Sequence, residues 1–204
     1  MATAALTAHG FFVYKKISPQ TYRRILYTAS VTWMILLVSR AVYYAWAQYS
    51  VWIENPVGAH LAQLGLEPGV ASTVLAGWIP VFSQSGGYFL YYASIRFFLP
   101  VLLTIAASAA WYSFLKSLKT YRSRLFEEGE VELGWLCALL VGWPRLVVFI
   151  PTVLLIFIIT AVTRRIVLKK EFTTIALSLF LALFTMLLAS GIIMKMSVVR
   201  VLAL

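Results

Sequence analysis

Uninterrupted apolar blocks constrain this chain more than any other feature. Ile25 to Tyr49 is 25 residues of almost wholly apolar sequence, about 37 Å at the helical rise, against a hydrocarbon core of roughly 30 Å. Comparable blocks run from Tyr88 to Leu115, from Gly134 to Val162 and from Phe172 to Met194. A soluble domain has no core able to absorb so many long stretches. A hydrophobic content of 62% with only 12% charged residues agrees that lipid is the solvent. The expected fold class is all-α, an integral membrane helical bundle of about four transmembrane helices in one domain over 25–194. Residues 1–24 form an N-terminal tail and 195–204 a C-terminal one.

The formal net charge of +10 flanks these blocks instead of forming a nucleic-acid face. Lys15, Lys16, Arg23 and Arg24 precede the first block, and Lys116, Lys119, Arg122 and Arg124 follow the second. Arg164, Arg165, Lys169 and Lys170 precede the last. Such juxtamembrane charge sets topology and attracts anionic lipid. Membrane lipids, anionic ones included, and other transmembrane subunits are therefore the expected partners, and nucleic acid is not. In the tail, the positive residues follow the short apolar stretch, the reverse of a cleaved signal peptide.

Val51 to Gly87 carries Glu54 and Glu67 but no Lys or Arg, which puts this loop on the side opposite the N-terminus. Within it, Pro68 to Trp78 is expected to be a short interfacial helix, with Val70, Val74, Leu75 and Trp78 along one face. Tyrosines and tryptophans at the block ends read as an interface belt.

The third block is interrupted by Gly142-Trp143-Pro144 and carries Arg145 and Pro151. One kinked span leaves the Arg164–Lys170 group outside, against the charge rule. A hairpin with its tip at 142–145 returns that group inside, but its first arm, Val131 to Val141, is roughly 16 Å long and too short to cross unaided. A kinked or partly re-entrant third segment, 134–162, is the favoured expectation. The linker ahead of it reads as a solvated connector, basic first and then acidic through Glu127, Glu128, Glu130 and Glu132.

Absent residue types narrow the chemistry. All seven acidic residues are Glu, Cys137 is the only cysteine, and the two histidines, His9 and His60, lie outside the apolar blocks. Paired-aspartate catalysis, thiolate zinc, an internal disulfide and intramembrane imidazole ligation of haem or metal lack their residues; no cofactor is expected. Gly129-Glu130-Val131-Glu132-Leu133 followed by Leu139-Leu140-Val141-Gly142-Trp143-Pro144 is similar to the second half of type IV prepilin peptidases, where a Gly-Asp motif precedes a like hydrophobic hairpin. The resemblance covers about 60 residues. Glu130 stands where that family carries Asp, the family's first Asp has no counterpart, and the N-terminal half is unrelated, so no catalytic role carries over.

Arg40 and Arg96 are the ionisable residues within the first two apolar spans, where charge is costly unless paired, snorkelling or facing water. Antiparallel helices put both in the outer half, with Glu54 and Glu67 as expected partners. The smooth patches Ala106–Ala110 and Ala189–Gly191 suit helix–helix packing. The expected function is a non-catalytic accessory subunit of a larger membrane complex, in an energy-transducing membrane such as the bacterial plasma or mitochondrial inner membrane. The alternative is a small transporter, channel or lipid-handling enzyme using Arg40 and Arg96 as an anion or headgroup site. The lipid or partner contacts assigned from sequence are Arg40, Arg96, Glu54, Glu67, Arg122, Arg124, Arg164 and Arg165. Labelling of introduced cysteines checks the topology: Glu54→Cys and Lys119→Cys should react from opposite sides, and reaction from one side contradicts the charge argument.

Overall fold

The computed structural model describes residues 18–65, 83–122, 126–167, 175–189 and 191. Among them every regular element is helical, and three helices are long and apolar enough to cross a membrane: Pro19–Glu54, Gly87–Tyr121 and Leu146–Thr163. The expected interfacial helix at 68–78 lies outside the described residues. Helix α1 is Pro19–Glu54, α2 Pro56–Gln63 and α3 Gly87–Ala93. A π-helical segment, Ser94–Phe98, joins α3 to α4, Leu99–Tyr121. Then follow α5, Glu130–Val141, α6, Leu146–Val167, and α7, Ala176–Leu188. The chain forms two compact units, one from residues 1–36 and 103–203, the other from 37–102.

In the larger unit, α5 is the centre. Val131, Leu133, Leu136, Cys137, Ala138, Leu139 and Val141 are all buried, as are Glu130 and Glu132. A helix apolar around its whole circumference has to be enclosed, and α5 is covered by α1, α4, α6 and α7. From α1, Tyr22, Leu26 and Ser30 recur every fourth residue along the buried face; α4 presents Thr104, Ser108, Trp111 and Leu115. Gly134 allows close approach, because a Cβ there would collide with Leu115 Cδ1 and lie 3.5 Å from Leu179 Cδ1. Tyr22 sits beside Gly129 while Trp33 Nε1 donates to the Leu139 carbonyl at 3.1 Å, so α5 runs parallel to α1. Gly134 lies against Leu115, and the Trp143 N–H donates to Thr104 Oγ1 at 2.9 Å, so α5 runs antiparallel to α4. These two bonds also satisfy backbone groups at the end of α5, where intrahelical partners run out.

The third apolar block is not one helix. α5 stops at Gly142, whose φ of +69° lies in the region open to glycine, and the Trp143–Pro144 bond is cis. Chain length decides the direction of α6. Ala176 is hydrogen-bonded to Glu130, at the start of α5. From Val167 to Ala176 the backbone spans at most about 31 Å. Had α6 continued onward from α5, helices of 12 and 22 residues would carry Val167 on the order of 50 Å from Glu130. α6 therefore folds back at 142–145, so of the expectations for 134–162 the chain does not form one continuous kinked helix but turns as a re-entrant or hairpin segment does. Its short first arm is viable because α5 is sheathed by protein instead of lipid. The solvated connector is corrected at its end alone: Lys116, Arg122, Glu127 and Glu128 are exposed, whereas Glu130 and Glu132 open a buried helix.

In the smaller unit, the expected aromatic belt packs on itself. Trp52 lies 5.3 Å from Phe89 and 5.1 Å from Tyr92 between ring centroids, and Tyr49 lies 5.0 Å from Phe89. The Asn55 side chain caps α2 by accepting from the Val57 N–H at 3.0 Å, with Pro56 opening the helix. Pro100 cannot supply the N–H that the Arg96 carbonyl requires, and the π-helical turn lies immediately ahead of it.

Candidate functional site

Carboxylates and arginine meet at the end of the larger unit where α1, α5 and α7 begin. Glu130 is 2% exposed. Its Oε2 accepts from the Glu127 N–H at 2.9 Å and its Oε1 from the Ala176 N–H at 3.0 Å. The first N–H groups of a helix lack intrahelical acceptors, and Ile175 at the cap of α7 supplies no side-chain bond of its own. Glu130 thus caps a helix 46 residues away, placing a negative group at the positive end of its dipole. Burial pushes the Glu130 carboxyl above the ordinary glutamate range, and the N–H groups of Glu127 and Ala176 oppose that shift.

Two residues along, Glu132 is 6% exposed and accepts from Arg23 Nε at 2.9 Å. Arg23 also reaches Glu128 at 3.9 Å. Beside this pair opens a groove of about 660 Å³ lined by Gln20, Arg23, Arg24, Tyr27 and Thr28 of α1, Tyr112 of α4 and Glu132. Trp135 stands between the two tyrosines, with ring centroids 5.7 Å from Tyr27 and 5.2 Å from Tyr112. A second groove, about 440 Å³, lies in the smaller unit among Val42, Trp46, Tyr49, Phe89, Leu90 and Phe98 and is almost wholly apolar.

Among the described residues, those singled out from sequence are joined by no ion pair. Arg40 is exposed on α1, its guanidinium 5.2 Å from the Tyr44 ring centroid, a cation–π contact. Arg96 is exposed within the π-helical segment. Glu54 is exposed, and Glu67 lies outside the described residues, as do Arg124 and the side chain of Arg164. Arg122 and Arg165 are exposed. Among the described residues the ion pairs are the two made by Arg23, so neither Arg40 nor Arg96 is joined to Glu54. No three His, Cys, Asp or Glu side chains among them are grouped as metal ligands. Cys137 is enclosed in α5.

Sequence reasoning passed over Arg23, Glu130 and Glu132. Arg23 was grouped with the topology-setting flank and the glutamates with a solvated linker. The usable signal was Glu130-Val131-Glu132 running directly into twelve apolar or small residues, Leu133 to Pro144, with no intervening polar turn.

No known protein family, curated protein or solved structure matches the chain.

Removing one partner of the Arg23–Glu132 pair strands a buried carboxylate. Arg23→Ala should cost about 1–3 kcal/mol of stability, while Arg23→Ala with Glu132→Ala should lose less than the sum of the single variants. Thermal unfolding in detergent over the full double-mutant cycle measures the coupling, and strictly additive losses contradict the pairing.

Proposed function

We propose that this chain is a non-catalytic accessory subunit of a larger membrane assembly. The observation carrying this reading is how little of each span the chain covers. In the apolar window of each of the three candidate spans only 17% is buried within the chain. Lipid covers part of the remainder, and helices of other subunits are proposed to cover the rest. The small-residue patch of α4 supports this, since Ala106, Ala109 and Ala110 are exposed and only Ser108 of the patch is buried. Small residues let a second helix approach closely in a membrane. The buried carboxylates, meanwhile, are engaged in joining helices: Glu130 caps α7, and Glu132 holds Arg23 of α1. A bundle of about four spans, with 172–194 as the last of them, and residence in an energy-transducing membrane belong to the same proposal.

A second reading, an anion or headgroup site at Arg40 and Arg96, is favoured by the exposure of both side chains. One experiment separates the two. The chain is purified in mild detergent and run on a native gel, and Arg40→Ala with Arg96→Ala is compared with the unaltered protein. The accessory role predicts a complex well above the 22.9 kDa of one chain, with reproducible partner polypeptides, and less of it in the variant. A solitary chain that moves solute across a vesicle membrane and loses this ability in the variant contradicts it.

A further inference from the structure

The groove beside Arg23 is built differently from any feature needed to hold the helices together. Arg23 is neutralised by Glu132 at 2.9 Å, but Arg24, the next residue, is exposed and has no ion-pair partner among the described residues. The same opening is lined by Gln20, Tyr27 and Tyr112, side chains that carry neutral donors. The lining therefore offers an unpaired guanidinium and several neutral donors, while its one carboxylate is already held by Arg23. That combination suits an anion with several acceptor oxygens.

Depth in the membrane narrows the anion. Arg24 immediately precedes Ile25, the first residue of the long apolar block. The tilted ring contacts of Tyr27 and Tyr112 with Trp135 put the end of α4 at this same end of the unit, together with Lys116, Lys119 and Arg122. Tyrosine and tryptophan beside clustered cations are the side chains of the headgroup layer on the positive side. Below the arginines, the wall of the groove continues as aromatic rings, against which the upper part of an acyl chain can lie.

We infer that the groove lined by Gln20, Arg24, Tyr27 and Tyr112 binds the phosphodiester of an anionic phospholipid headgroup, with Arg24 as its principal cation. A free phosphate would satisfy the same donors but would draw nothing from the aromatic wall.

The test uses the full chain in detergent, with native mass spectrometry of bound phosphatidylglycerol, phosphatidylcholine as the zwitterionic comparison, and inorganic phosphate as competitor. Phosphatidylglycerol should be retained over phosphatidylcholine. Arg24→Ala should weaken it about fivefold, the factor equivalent to about 1 kcal/mol for one interfacial cation, with Arg24→Lys intermediate. Arg145→Ala, beyond the opposite end of α5, should leave binding unchanged, and circular dichroism of the Arg24 variants should match that of the unaltered chain. Equal weakening by Arg24→Ala and Arg145→Ala overturns the site in favour of general charge attraction. Equal retention of the two lipids overturns it as well. Displacement of phosphatidylglycerol by equimolar inorganic phosphate assigns the groove to free phosphate and overturns the lipid.

Discussion

A carboxylate buried among backbone N–H groups is the constraint on which the larger unit depends. Glu130 cannot remain at the start of α5, sealed from water, unless its oxygens find donors; an unpaired buried charge is among the most costly features a fold can hold. Its donors come from the turn before α5 and from the first amide of α7. Meeting that demand fixes where α7 begins, and chain length then forces α6 to turn back. One ionic requirement thus propagates into topology. Gly129 takes part, since its φ of +88° and the Tyr22 ring, 2.5 Å from where a Cβ would be, leave room only for glycine ahead of Glu130.

The helical class and the membrane character were legible in the sequence because both follow from block length and composition, which tertiary contacts do not alter. Ile25–Tyr49 and Tyr88–Leu115 fall within the two helices Pro19–Glu54 and Gly87–Tyr121. The third block was harder. Gly142 and Pro144 mark the break, but a first arm of Val131 to Val141, roughly 16 Å of helix, looks too short for a membrane. It becomes acceptable only when α1, α4, α6 and α7 are seen to enclose it, information no local window contains. The polar cluster was missed for the same reason. Glu130 contacts a residue 46 positions away and Glu132 one 109 positions away, and sequence spacing gives no sign of either. Arg40 and Arg96 stood out by being charged in apolar surroundings, yet the charges that bind helices together lie at the edges of the blocks.

Inside and outside divide the chemistry of the larger unit. Several of its interior polar groups are paired, Trp33 with Leu139, Trp143 with Thr104, Arg23 with Glu132 and Glu130 with Ala176, while among the described residues the indole N–H groups of Trp111 and Trp135 and the Ser178 hydroxyl are buried without a hydrogen-bond partner. Its exterior is apolar along the spans and basic at the end where α4 finishes. A molecule so arranged has its buried charge committed to architecture, while its outward faces are suited to lipid and to other helices. The groove at Arg24 is where the two meet, with a paired arginine behind and an unpaired one in front.

The central claim, that Glu130 pins α7 to α5, is tested most directly by hydrogen exchange at the Ala176 amide in the unaltered chain and in Glu130→Ala. The account predicts strong protection in the unaltered protein and its loss in the variant, together with faster exchange through the rest of α7. An Ala176 amide that exchanges at the same rate in both proteins would contradict it.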